Sequence, residues 1–267
     1  MARSTARPPS SAQYVALGSS FAAGIGLGPR APGSPCGCQR SVNGYPPRLA
    51  RLAGLSLVDV TCSGASTRHV LRDRQFLQPP QIEAVGPGAK LVTLTIGGND
   101  VGYIGDLTML AFRRRGGLAG LLLRRFWKGP RRGPARDFAR LQDDISAILA
   151  DVGRRAPGAR TVVVAYPAIL PRAGCCSKVG LDDDEAALMR DVAARLAEAT
   201  RAAAEASGAI LIDMSKDSVG HDACAEAPWT NGLAPAEGAP FHPTADGAEA
   251  MARLVLEHLV RAGERFQ

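Results

Sequence analysis

Ser20 stands just past a short apolar run, Tyr14-Val15-Ala16-Leu17, in the segment Leu17-Gly18-Ser19-Ser20-Phe21-Ala22-Ala23-Gly24. A strand that stops at a glycine and then turns holds a hydroxyl at the carboxyl edge of a sheet, where open α/β folds gather ligands and reacting groups. A Gly-Ser pair alone is an ordinary turn signal, and three further segments give it weight. Thr61-Cys62-Ser63-Gly64-Ala65-Ser66-Thr67 offers a glycine whose N–H a ligand can approach closely. Ile96-Gly97-Gly98-Asn99-Asp100 puts a carboxamide after a double glycine, with Asp100 as a brace for the turn or as a plain turn residue. Phe241-His242-Pro243-Thr244 supplies an imidazole. These are the parts of an activated hydroxyl. Ser20 would attack a carbonyl and His242 would take its proton. The Ser20 N–H, the Gly64 N–H and the Asn99 side chain would hold the charge that develops on oxygen.

Three other histidines compete for the role of base. His69 lies between Arg68 and Arg72 in a loop or helix start, His221 precedes Asp222 in a long loop, and His258 is near the end of the last helix. His242, after the fifth strand and just before that helix, is preferred.

The elements that must position these groups alternate between two periodicities. β-rich runs fall at 13–19, 56–61, 90–96, 160–166 and 209–213. Lys90–Ile96 and Arg160–Tyr166 are nearly continuous in apolar or β-branched residues, the pattern of strands buried on both faces. Helical patterns cover Tyr45–Leu52, Ala135–Arg155 and Asp182–Ser207, and a final one starts near Thr244. Phe138, Leu141, Ile145, Ile148, Leu149 and Val152 form an apolar helical stripe, and Gly208 stops the third helix. Regular βα alternation predicts an α/β fold with a parallel sheet and helices on both sides. All four chemical segments then fall beyond strand ends, on one edge.

A chain of 267 residues with 46% apolar residues accommodates one such domain, read here as 13–267 after a short disordered leader at 1–12. No run of about 18 uncharged apolar residues occurs, so no membrane span is predicted. The first thirteen residues lack an apolar core and do not read as a signal peptide as they stand; a secreted form already trimmed would look the same. The net charge of +7 is concentrated in residues 103–136. That segment carries Leu107, Leu110, Phe112, Leu121, Phe126 and Trp127 among nine arginines and lysines, with no acidic residue between Leu107 and Arg136. It reads either as a basic amphipathic surface for an anionic membrane or as a cap whose leucines pack on the body. Nucleic acid is not expected, because the stretch has no recognisable binding fold. A second decoration is the long loop 214–243, with Cys224, Trp229 and His242.

The six cysteines lack the spacing of a zinc site. The economical pairing is Cys38 (or Cys36) with Cys62, and Cys175 or Cys176 with Cys224; the favoured set is Cys38, Cys62, Cys176 and Cys224. Such bridges imply an oxidising compartment; the alternative is a set of reduced cysteines in a cytosolic protein.

Ser20, Gly64, Asn99 and His242 match in order the four blocks that name the SGNH (GDSL-type) hydrolases, and the chain resembles that family over about residues 13–260. It is most similar to the bacterial secreted lipase/esterase branch, through Tyr14-Val-Ala-Leu-Gly18, Cys62-Ser-Gly64-Ala, Gly97-Gly-Asn-Asp100 and Pro228-Trp229. The resemblance implies a flavodoxin-like three-layer α/β/α sandwich with a five-stranded parallel sheet. It implies hydrolysis of carboxylic esters without metal or cofactor, with disulfides, in a secreted or cell-envelope protein, a cytoplasmic one being the alternative left open by the want of a signal peptide in this chain; a monomer is expected. The apolar insertion points to lipid or medium-chain acyl esters. The alternatives are an acyltransferase or phospholipase at a membrane surface, and a non-catalytic lipid- or glycan-binding relative.

Two departures stand out. The first block of the family reads Gly-Asp-Ser, and here it is Gly18-Ser19-Ser20. The family also carries an aspartate three residues before the histidine, where this chain has Ala239. A backbone carbonyl at Ala239 is then expected to orient His242, giving a Ser-His dyad, with Glu237 and Asp246 as carboxylate substitutes. A carbonyl fixes the tautomer but stabilises an imidazolium less than a carboxylate does.

Overall fold

Tyr14–Gly18 (β1) buries every residue, and successive side chains part to opposite faces. Tyr14 and Ala16 join one apolar cluster and Val15 and Leu17 the other. The same division runs through the sheet. The structure, a computed structural model, describes residues 13–115 and 117–263, without the side chains of residues 117–119, 123, 124 and 134. The expected leader at 1–12 lies outside the described residues.

In chain order the elements are β1, α1 (Ser20–Ala23), α2 (Tyr45–Ala53), β2 (Leu57–Asp59), α3 (Thr67–Leu71), β3 (Leu91–Thr95), α4 (Tyr103–Arg114), α5 (Gly117–Phe126), α6 (Phe138–Arg155), β4 (Arg160–Val164), α7 (Asp183–Ser207), β5 (Ile210–Ile212), α8 (Met214–Asp217) and α9 (Ala245–Arg261). The five strands are all parallel in the order β2-β1-β3-β4-β5. α2 and α9 cover one face, against Tyr14, Leu91, Val162 and Ile212. α4, α6 and α7 cover the other, against Val15, Val92, Leu94 and Val163. This is the expected three-layer α/β/α sandwich.

The long helices start where the sequence places capping side chains. Asp182 and Glu185 form a reciprocal capping box on α7, Asp137 caps α6, and Thr244 caps α9. The stripe expected from Ala135 therefore begins helical only at Phe138, after its aspartate cap. In this strand order the chain leaves β1 toward β2 and returns to β3 on the other side. The crevice beyond the carboxyl ends of β1 and β3 is the switch point at which such sheets bind ligands, and Ser20 and Asn99 follow those two strands.

The cysteines pair as Cys38–Cys62 and Cys176–Cys224, leaving Cys36 exposed and Cys175 half-buried. The first bridge ties the loop after α1 to the Gly64 segment. The second ties the loop after β4 to the 214–243 loop, which holds the short helix α8 that the sequence pattern did not reveal.

The insertion divides its charge. α4 buries Tyr103, Leu107 and Leu110, and its Arg113 and Arg114 reach the α7 cap residues Glu185 and Asp182. Arg136, on the returning limb, pairs with Asp106 at 2.7 Å. These arginines behave as parts of a packed cap. α5 instead exposes Leu121, Leu122 and Phe126, with exposed Arg115, Arg125, Lys128 and Arg132 around them.

Candidate active site

Gly18 sets the Ser20 segment. Its φ is 145°, and a Cβ there would lie 2.5 Å from the Thr95 carbonyl oxygen, so only glycine lets the end of β1 close against β3. Gln81 brackets the same residue, its Oε1 accepting from Gly18 N–H at 2.7 Å and its Nε2 donating to the Gly18 carbonyl at 3.0 Å. The chain then turns into α1, a helix too short to announce itself by periodicity. Ser19 is its N-cap and Ser20 its first residue.

Ser20 and His242, 222 residues apart, meet with Oγ and Nε2 at 2.7 Å, both buried. The other ring nitrogen, Nδ1, lies 2.7 Å from the Pro240 carbonyl oxygen. A carbonyl only accepts, so Nδ1 carries the proton and Nε2 presents its lone pair to the serine hydroxyl. The expected carbonyl was Ala239, and this is corrected to Pro240. Ala239 closes a turn, accepting the His242 N–H at 3.2 Å, with Pro240 second and Phe241 third at φ 59°. The Pro240 carbonyl, just before that left-handed residue, meets the ring, while the Ala239 oxygen accepts from His242 N–H and from Asn231 Nδ2 at 3.4 Å. Neither carboxylate substitute takes part: Glu237 and Asp246 are exposed, and no carboxylate among the described residues bonds the imidazole. Burial pulls the His242 pKa down from 6.5 to about 4, against the smaller opposing effect of the Pro240 hydrogen bond.

Backbone pairing fixes the histidine segment. Asn231 N–H donates to the His242 carbonyl at 2.8 Å, and Thr244 N–H to the Trp229 carbonyl at 2.9 Å. The ring packs on Phe21 with centroids 4.8 Å apart. The competing histidines are engaged elsewhere. His69 completes the Ser66 capping box on α3, His221 stacks on Trp229, and His258 bonds the Leu254 carbonyl within α9.

The other two segments are stitched to the first. Cys62 N–H donates to the Gly18 carbonyl at 3.0 Å, and Asn99 Nδ2 donates to the Ala65 carbonyl at 2.8 Å. That bond uses one amide hydrogen of Asn99 and leaves the other. No hydrogen bond among the described residues occupies the N–H of Ser20 or of Gly64. Asp100 braces the turn, its carboxylate accepting from Thr67 Oγ1 at 2.7 Å and Thr67 N–H at 3.0 Å. Burial raises its pKa, opposed by those same Thr67 bonds. The set can hold a hydroxyl against a neutral base beside donors that still lack acceptors.

The profile of the GDSL-like Lipase/Acylhydrolase family matches residues 16–250. The chain belongs to this family. "Lipase 2" of Streptomyces coelicolor is 37% identical over 264 residues, covering 92% of this chain and 85% of the relative. Among solved structures, the extracellular lipase of Streptomyces rimosus superposes with a TM-score of 0.72 at 30% identity, covering 92% of this chain and 97% of that one. Phospholipase A1 of Streptomyces albidoflavus NA297 does so with a TM-score of 0.73 at 26% identity, covering 93% and 98%. This GDSL hydrolase is thus a carboxylic ester hydrolase of the lipase/esterase kind, on the α/β fold that its family uses.

One residue near the site gave no functional signal in the sequence. Tyr166 reads there as the last member of an apolar strand run. In the structure its phenol lies 2.9 Å from Ser19 Oγ and 3.2 Å from Gly98 N.

Proposed function

We propose that this hydrolase cleaves lipid or medium-chain acyl esters by two-step acyl transfer on Ser20. The observation that carries the reading is the 2.7 Å contact of Ser20 Oγ with His242 Nε2. His242 takes the serine proton as Oγ attacks the ester carbonyl. The oxyanion is held by the Ser20 and Gly64 N–H groups and the free Asn99 amide hydrogen. The alcohol leaves with the proton from His242, and water, deprotonated by the same ring, releases the acid. These groups need no residue from a second subunit, and the enzyme is taken to act as a monomer. Two disulfides and a relative described as extracellular support secretion. The test is hydrolysis of p-nitrophenyl esters of graded chain length. A maximum at medium or long chains is expected, and a preference for acetate would contradict the lipid assignment.

The buried imidazole gives the reaction an unusual pH profile. kcat/KM reports the ionisation of the free enzyme's base. Its acid limb is therefore expected near the His242 value of about 4, below the ordinary 6.5. Stability follows in sign. The unfolded chain protonates this imidazole at 6.5 and the folded one at about 4. The contribution of the neutral ring is complete above the higher value and is lost as pH falls toward the lower. An acid limb at the ordinary imidazole value would contradict a desolvated base.

α5 supports contact with an anionic lipid surface. Leu121, Leu122 and Phe126 are 57%, 48% and 72% exposed, and the exposed cations beside them suit phosphate headgroups. Leu121→Glu with Phe126→Glu is expected to weaken co-sedimentation with phosphatidylglycerol vesicles by about tenfold or more. Equal binding by the variant and the parent would discard this surface.

A further inference from the structure

We infer that Tyr166 is a positioning residue that holds the nucleophile segment, the Asn99 segment and the histidine in one register. The inference rests on the acyl-transfer reading above and adds a residue that the four-block pattern does not contain.

The geometry converges on one phenol. Gly98 N–H donates to the Tyr166 oxygen at 3.2 Å, and the phenol shares a second hydrogen bond with Ser19 Oγ at 2.9 Å. Ser19 precedes the nucleophile and Gly98 precedes Asn99, so a single oxygen spans the two segments that follow β1 and β3. The same ring packs on Phe21 with centroids 4.5 Å apart, and Phe21 packs in turn on His242. Three of the four chemical segments thus lean on Tyr166.

Two local features indicate that the contact is built. Ser19 is the N-cap of α1, a position where a serine hydroxyl ordinarily accepts from the helix N–H groups. Its side chain makes no cap bond and turns to the phenol, with Ser19 only 1% exposed. A Cβ on Gly98 would lie 2.9 Å from the phenol carbon and oxygen, so the close approach needs glycine. Burial lifts the Tyr166 pKa to about 12, so the phenol is protonated at neutral pH. Ser19 also stands where the resemblance leads one to expect an aspartate. A carboxylate there would only accept from the phenol, whereas in the hydroxyl pair either member can donate.

Tyr166→Phe keeps the ring on Phe21 and removes only the shared oxygen, leaving Ser19 Oγ and Gly98 N–H to drift. The full chain, assayed on a soluble short-chain p-nitrophenyl ester, is expected to lose about tenfold in kcat with KM unchanged. The rate at which a fluorophosphonate labels Ser20 should fall in the same ratio. Ser19→Ala removes the other end of the bond and should also lower kcat at constant KM. The double variant should be no worse than the poorer single one, because both cut the same link. Ser19→Ala alone supplies the kcat and labelling readouts should Tyr166→Phe fold poorly. Unchanged kcat and labelling in a folded variant, or losses that simply multiply in the double variant, would overturn the inference. A parent enzyme whose Ser20 takes no label would instead overturn the acyl-transfer reading on which it rests.

Discussion

Ser20→Ala is expected to lower kcat on any acyl ester by about 10⁵–10⁶-fold while leaving the fold intact. The side chain contributes the oxygen that lies 2.7 Å from His242 Nε2. Alanine keeps the α1 helix, and the Ser20 N–H survives as an oxyanion donor. Residual hydrolysis, about 10³–10⁴ above that in water, would then come from the donors and substrate binding alone. Because the buried hydroxyl is a small part of the core, the melting temperature should move little. The check is a steady-state assay of the purified variant beside a thermal melt. Substantial turnover by a folded variant would remove Ser20 from the chemistry.

His242→Ala is expected to cost nearly as much, and the double variant with Ser20→Ala no more than the worse single one, since nucleophile and base act as a unit. Among the described residues it is the imidazole that bonds Ser20 Oγ, at 2.7 Å, with Nδ1 held by the Pro240 carbonyl at 2.7 Å. Without it the serine hydroxyl is a poor nucleophile at neutral pH. This variant should also label slowly with a fluorophosphonate, because acylation needs the same proton transfer. Rapid labelling by His242→Ala would mean that another group activates Ser20. Loss of turnover with addition of a carboxylate-free buffer catalyst such as imidazole restoring part of it would be consistent with the assigned role.

The sequence disclosed those parts of the site that rest on residue type and on strand ends. β1 and β3 are buried on both faces and so read as apolar runs, and the serine and asparagine that follow them could be placed on one edge. The Pro240 carbonyl could not be read, because its direction depends on the left-handed turn at Phe241, a residue type that rarely takes that conformation. The helices α1 and α3, of four and five residues, are shorter than the window of about 11–18 residues over which helical periodicity is read. Tyr166 looked like an apolar strand residue since its hydroxyl matters only through partners 147 and 68 positions away. The basic insertion was visible as a composition but not as two halves. The acidic partners of Arg113 and Arg114, Glu185 and Asp182, come from α7, far along the chain. Only packing shows which arginines are spent inward and which face out beside Leu121 and Phe126.

Intact-mass and peptide-mapping mass spectrometry of the full chain after a fluorophosphonate decides whether Ser20 is the residue that is acylated. One adduct per chain is expected, on Ser20, formed in step with loss of esterase activity and absent from Ser20→Ala. An adduct on another residue, or full inactivation with Ser20 unmodified, would contradict that assignment.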